Sequence, residues 1–265
     1  MRGLITQVTT VVVLMAGIAA CQLPRLRAQT QPQTLNPDEI AAAQTLTAAQ
    51  LDLLKTAPSL GFDNLIADWT FLNFLQYFGD REARTASSYG VTPKFFEVIV
   101  SHDPYFRLPY VFLSGTVSLF AGQPETAVAL LDEGLSHLSP TFPPDSYLLW
   151  RYKAIDELLF LGDSTAARQS FATAADWAAQ SPLPGADESA RRARETAEFL
   201  RQNPTSPEVQ VDAWLQVWAN AVNEDVRESV RQRIRNLGFD LAFEGDRVQV
   251  VPLESASPDP ATTNP

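Results

Sequence analysis

The sequence predicts an all-α protein in which antiparallel helix pairs stack as a solenoid, closed by a small C-terminal β-hairpin. Three observations carry that prediction. Apolar residues recur at helical spacing from Asn36 to about Leu237, broken at short intervals by Pro, Gly, Asp and Asn. The same punctuation is written twice, as Phe120, Gly122 and Ala127 in "SLFAGQPETAVALL" and as Phe160, Gly162 and Ala167 in "LLFLGDSTAARQSF", 40 residues apart. From Phe239 the period changes to two, in "FDLAFEGDRVQVV".

The chain opens with Arg2 as a short positive region and an apolar run from Val11 to Ala20. Ten apolar residues are few for a stable span, since a helix needs about 20 to cross the hydrocarbon core. The run suits the core of a secretory signal over residues 1–20. It ends in Ile18-Ala19-Ala20-Cys21, and Cys21 is the chain's one cysteine. A single thiol excludes an internal disulfide, a CxxC redox pair and a cysteine-rich zinc site. Residues 21–36, polar and rich in Gln and Pro, read as a flexible linker.

Residues 37–237 read as the helical domain. Asn36-Pro37-Asp38-Glu39 supplies an N-cap, Pro at the first helical position and acids in the first turn. Pro58 and Gly61 end that helix. In the next, Leu65, Ile66, Trp69, Leu72, Phe74, Leu75 and Phe78 make an apolar face wide enough to predict burial on several sides, with Asp68 inside it and Gly79 as its stop. Thr92-Pro93 opens a helix to Ser101, and a further helix ends near Gly122. Pro124 begins another that runs to about Leu138, with Pro140, Pro143 and Pro144 forming the connection. Asp145 or Ser146 caps a helix to Leu161, and Gly162-Asp163 turns into one through Gln180. Helices follow over Asp187–Gln202, from Ser206-Pro207 to Ala221, and over Glu224–Asn236. Connections this short make neighbours antiparallel. Residues 238–252 read as the hairpin and 253–265 as a disordered tail.

The repeated unit resembles the tetratricopeptide repeat. Gly115, Gly122, Ala127, Leu131 and Gly134 fall in its slots in the first unit, and Gly162, Ala167, Phe171 and Ala174 in the second. Ile155 replaces a small residue, Pro140 and Pro182 come late, and "TFPPDS" stretches the 34-residue period. The good match covers about 75 residues, with a degenerate earlier unit over Leu65–Val100. The resemblance implies a concave groove for peptides or protein segments, with Phe112, Thr116, Tyr152 and Asp156 on its side. The residues up to Cys21 resemble the lipobox of bacterial lipoproteins, which implies lipidation of Cys21. An ordinary signal cleaved near Ala28, or an uncleaved anchor, fits the same residues. Either exported form belongs in the cell envelope, on the periplasmic or lumenal side.

Chemistry is sparse. His102 and His137 have no companion at metal-ligand spacing, and there is no phosphate loop, nucleophile elbow or HExxH. Asp156-Glu157 are adjacent and point in different directions on a helix. No catalytic residue, metal or cofactor is expected. A net charge of -11 argues against nucleic acid. The sequence therefore predicts an exported, lipid-anchored scaffold or adaptor that binds protein partners at a membrane, with complex assembly as one role. The rival is an envelope enzyme with an acidic site at Asp68 or Asp156.

Overall fold

A computed structural model describes residue 22 and residues 37–202, 207–222, 224–244 and 247–253. The expected signal segment, Cys21, the remainder of the linker and residues 254–265 of the tail lie outside the described residues. Eleven α-helices and one two-stranded antiparallel sheet make up the described fold.

The first helices are α1 (Pro37–Thr56), α2 (Asp63–Gly79), α3 (Arg81–Ser87) and α4 (Thr92–His102). The more deeply buried helix is α4, not α2. Phe96, Val98, Ile99 and Val100 spread over more than half of the α4 surface and all are sealed from solvent, because α1, α2 and α6 (Pro124–Leu135) pack against it, and the stripe of Lys94, Glu97 and Ser101 is left open. Helix α2 buries a single stripe, Ala67, Thr70, Phe71 and Phe74, at helical spacing. Leu65, Trp69, Leu72 and Leu75 are exposed. The broad apolar face therefore has a covered half and an open half, and Asp68 sits on the open half rather than in the interior.

Helix α5 (Leu108–Leu113) runs straight into a π-helical segment, Ser114–Phe120. Gly122, at φ +65°, turns the chain into α6, and Gly162, at φ +67°, turns α7 (Tyr147–Leu159) into α8 (Ser164–Ala178). Both glycines occupy the left-handed region that other residues adopt at a cost. The repeated Phe-x-Gly is thus one turn geometry used twice. Ala127 and Ala167, five residues on, are fully enclosed where paired helices approach. Helices α6, α7 and α8 stop at Leu135, Leu159 and Ala178, a few residues before their expected ends. Ser146 does not cap α7, since its hydroxyl donates to Pro143 O at 2.6 Å. Asp163 does cap α8, accepting from Ala166 N at 2.8 Å.

Alanines make the next contact. Ala167, Ala174, Ala175 and Ala178 of α8 meet Ala186, Ala190, Ala193 and Ala197 of α9 (Ala186–Gln202), and the small side chains permit close packing. The last pair, α10 (Pro207–Asn220) and α11 (Glu224–Asn236), instead lies across the two glycine turns. A Cβ on Gly122 would meet Val226 and Val217 at 3.5 and 3.6 Å, and Gly162 lies against the Gln210 side chain. Glu125 of α6 accepts from Arg233 of α11 at 2.7 and 3.1 Å. The hairpin, β1 (Phe239–Glu244) and β2 (Arg247–Pro252), pairs Leu241 with Val250 and joins the same cluster around Trp214 and Ile234. Leu253, expected in the tail, donates its N–H to Gly238 O at 3.1 Å and extends the hairpin.

Two glycines in the repeat slots behave oppositely. A Cβ at Gly134 would come within 2.7 Å of the Tyr110 ring, whereas one at Gly115 would meet nothing within 4 Å. Gly115 therefore permits no close helix approach, contrary to the role its slot implies. Tyr110 is fully buried and tethered through its hydroxyl to Pro104 O at 3.1 Å, so the ring has little room to yield. Gly134→Ala is expected to destabilise the fold by about 2–3 kcal/mol in urea unfolding. Gly115→Ala should be neutral or stabilising by up to about 1 kcal/mol. Equal effects would contradict this packing.

Candidate functional site

The four residues that the repeat resemblance places on a groove do not line one. Phe112 is packed inward, with ring centroids 5.7 Å from Phe71 and 6.1 Å from Phe74. Thr116 is buried, and its hydroxyl donates to Phe112 O at 2.8 Å. Tyr152 packs half-buried against the main core cluster, which runs from α1, α2 and α4 through Leu113 and Val117 to Leu131 of α6 and Leu149 of α7. Asp156 is 0% exposed. Helix α2, through Phe71 and Phe74, covers Phe112.

Asp156 owes its setting to the π-helical segment. Ala121 N reaches back five residues to Thr116 O at 3.0 Å, which opens the turn. Ser114 and Ser118, four residues apart, both come to Asp156. Ser114 Oγ donates to Asp156 Oδ1 at 2.7 Å. The Ser118 hydroxyl falls short of hydrogen-bond geometry, so Asp156 Oδ2 and Ser118 Oγ are both unpaired. Burial pushes the Asp156 carboxyl up to about 6; the two serines pull it down and Glu157 pushes it further up. Glu157, also buried, pairs with Lys153 at 3.1 Å, and Lys153 reaches Asp132 at 2.9 Å. Asp156 is a sealed acid, and Asp68 is a surface one.

His102 has a structural role. Its Nδ1 lies 3.0 Å from Asp63 Oδ1 and its Nε2 3.0 Å from Leu54 O, tying the end of α4 to α1 and α2. The imidazole beside Asp63 holds that carboxyl below its ordinary value, helped by the Ser59 hydroxyl. His137 is exposed. Among the described residues no group of three or more His, Cys, Asp or Glu is placed to hold a metal, and no helix is long and apolar enough to cross a membrane.

Two other features stand out on the surface of the N-terminal helices. The first is a row beside and along α2. Phe62, Leu65, Trp69 and Leu72 repeat at three- and four-residue spacing and are 62%, 62%, 63% and 53% exposed. Scattered apolar residues are ordinary on a surface, but four in register form a contiguous strip. The second is a groove of about 420 Å³ between α1, α2 and α3, with Leu51, Leu54, Trp69, Thr70, Tyr77 and Arg84 in its walls. Arg84 is buried, its guanidinium 3.7 Å from the Tyr77 ring centroid. Its Nη1 donates to Ser88 O at 3.1 Å, and Gln44 and Tyr77 donate to the same carbonyl at 3.4 and 3.3 Å. Ser88 has φ +68° and ψ -178°, a conformation of glycine, and the three donors hold it there.

Sequence reasoning saw the apolar side chains of α2 but assigned them to the interior. It passed over Arg84, a single Arg in the polar run "GDREARTASSYG", where no periodic signal marks a buried cation. Comparison with protein-family models, with curated proteins and with solved structures gives no match.

Proposed function

We propose that this chain is an envelope-tethered helical adaptor of the tetratricopeptide type, held to a membrane by lipid on Cys21 and docking a protein partner through its N-terminal helices. The observation that carries the docking is the exposed row Phe62, Leu65, Trp69 and Leu72. Burying a large apolar side chain contributes about 1.5–3 kcal/mol, and a Trp set centrally among apolar neighbours is the usual anchor of an interface. The partner surface moves from the concave face implied by the repeat to the outer face of α2, because the inner residues are already packed. The tether rests on the small residues before Cys21 and on the apolar run that precedes them. Several acyl chains on one cysteine, at about 0.8 kcal/mol per buried CH₂, would retain the protein without a spanning helix. The rival acidic enzyme has no observation in its favour, since Asp156 is enclosed and Asp68 stands apart from it on the surface.

A photo-crosslinking residue in place of Leu65, in the full chain in its native membrane, should give one adduct of discrete mass. The same residue in place of Arg192, on exposed α9, should not. Trp69→Ala should weaken the Leu65 adduct, and Cys21→Ala should release the protein from the membrane with loss of the acyl mass. Identical adducts from both crosslinking positions would refute the docking face, and unchanged membrane retention of Cys21→Ala would refute the tether.

A further inference from the structure

We propose that the groove between α1, α2 and α3 binds a small organic carboxylate with an apolar body, its carboxylate held by Arg84. The site shares Trp69 with the docking row, but the argument for it rests on Arg84 and Thr70 and its test leaves Trp69 unchanged.

The first argument is an uncompensated charge. Arg84 is 7% exposed, and no carboxylate among the described residues pairs with it. Its bonds are to a backbone carbonyl and a tyrosine ring, and its Nε has no partner. Elsewhere the guanidinium groups of Arg231, Arg233 and Arg235 each meet an Asp or Glu. A buried cation without an anion is costly, and a carboxylate is its natural complement because the planar fork matches two oxygens. The second argument is independent of charge. Thr70, 1% exposed, also lines the groove, and its hydroxyl has no partner. A carboxylate accepts from both a guanidinium and a hydroxyl, and an ammonium could satisfy only the second.

The remaining wall sets the rest of the ligand. Leu51 and Leu54 of α1, Phe95 of α4 and the Trp69 ring offer apolar surface. A volume of about 420 Å³ is the size of a small-molecule site, and its lining mixes these apolar side chains with Thr47, Gln50, Asn73 and Gln76, so the ligand's body meets both. Asp80 is also in the wall, exposed, with Oδ1 accepting from Ala83 N at 3.1 Å. Its charge opposes an anionic ligand, weakened by solvent. That gives the site a variant of opposite sign, because Asn caps a helix as well as Asp does.

The test is calorimetric titration of the full chain with phenylbutanoate, phenylbutanamide and phenylbutylamine. The acid is expected to bind one to one, about tenfold more tightly than the amide, with no binding of the amine. Arg84→Gln should remove the preference for acid over amide, and Asp80→Asn should tighten the acid severalfold while leaving the amide unchanged. A purely structural Arg84 would predict loss of stability with no change in that preference. If Arg84→Gln does not fold, Asp80→Asn and Thr70→Val, which should weaken the acid, decide the matter. Equal binding of acid and amide, absence of saturable binding, or indifference to Asp80→Asn would overturn the proposal. Tighter binding of acetylated leucyl-phenylalanine with a free C-terminus would overturn the free small molecule in favour of a peptide carboxylate.

Discussion

Asp156→Asn is expected to stabilise the fold by about 3 kcal/mol at neutral pH and to change it little in acid. Asp156 is wholly enclosed, with one oxygen bonded to Ser114 and the other unpaired. Burial holds its proton up to about 6, against an ordinary 3.8. Between those values the folded chain keeps a proton that the unfolded chain has released. Stability from this group therefore falls as pH rises through the window and is flat above it. Asn removes the charge, keeps an oxygen for the Ser114 hydroxyl and presents an N–H toward Ser118 Oγ. The difference between variant and wild type, from denaturant melts across pH, should be near zero below about pH 4 and reach its full value above about pH 6. A difference that does not vary with pH would mean that Asp156 is solvated.

Asp240→Asn should do the reverse, lowering stability at neutral pH by about 2 kcal/mol. Asp240 on β1 is also buried, but two arginines one turn apart on α11 clamp it. Arg231 Nε donates at 2.9 Å, Arg235 Nη2 at 2.8 Å, and Leu241 N at 2.7 Å. Burial pushes this carboxyl up, and the hydrogen bonds from Arg231 and Arg235 pull it down further, so it sits well below the usual carboxylate range. Its contribution is present above the ordinary 3.8 and is lost as pH falls below it. The arginines are 27% and 38% exposed, so water recovers part of what they lose, and the expected loss stays below that of a sealed ion pair. Hydrogen exchange should quicken across β1 and β2 and at the end of α11, where the clamp joins them. Unchanged exchange there would show that the apolar cluster around Ile234 and Leu241 alone seats the hairpin. Two buried aspartates thus give opposite pH dependences, and the difference lies in whether an arginine is present.

The elements were legible because their signals are local. Pro at a first helical turn, as at Pro93 and Pro124, and Gly at the turns of Gly122 and Gly162 report backbone geometry that a few residues set by themselves. The alternation from Phe239 likewise marks the hairpin without reference to the rest of the chain. The candidate site was not legible in the same way. The repeat resemblance places Phe112, Thr116 and Asp156 on a groove, and here Phe112 is packed against Phe71 and Phe74 of α2 while Thr116 and Asp156 are buried, Asp156 against Ser114 of the π-helical segment. Arg84 carries no pattern at all, and only the fold around Ser88 makes it a buried cation.

The sequence by itself therefore determined helix, turn and strand, and the acidic charge that argues against nucleic acid. Only the tertiary structure decided which apolar faces are covered. On α2 the sequence presents Leu65, Trp69, Phe71 and Phe74 alike as apolar, yet Phe71 and Phe74 are interior and Leu65 and Trp69 are surface. The physical reason is that burial is a property of pairs of elements. A helix specifies its own stripe, and what lies against that stripe is specified by residues far along the chain.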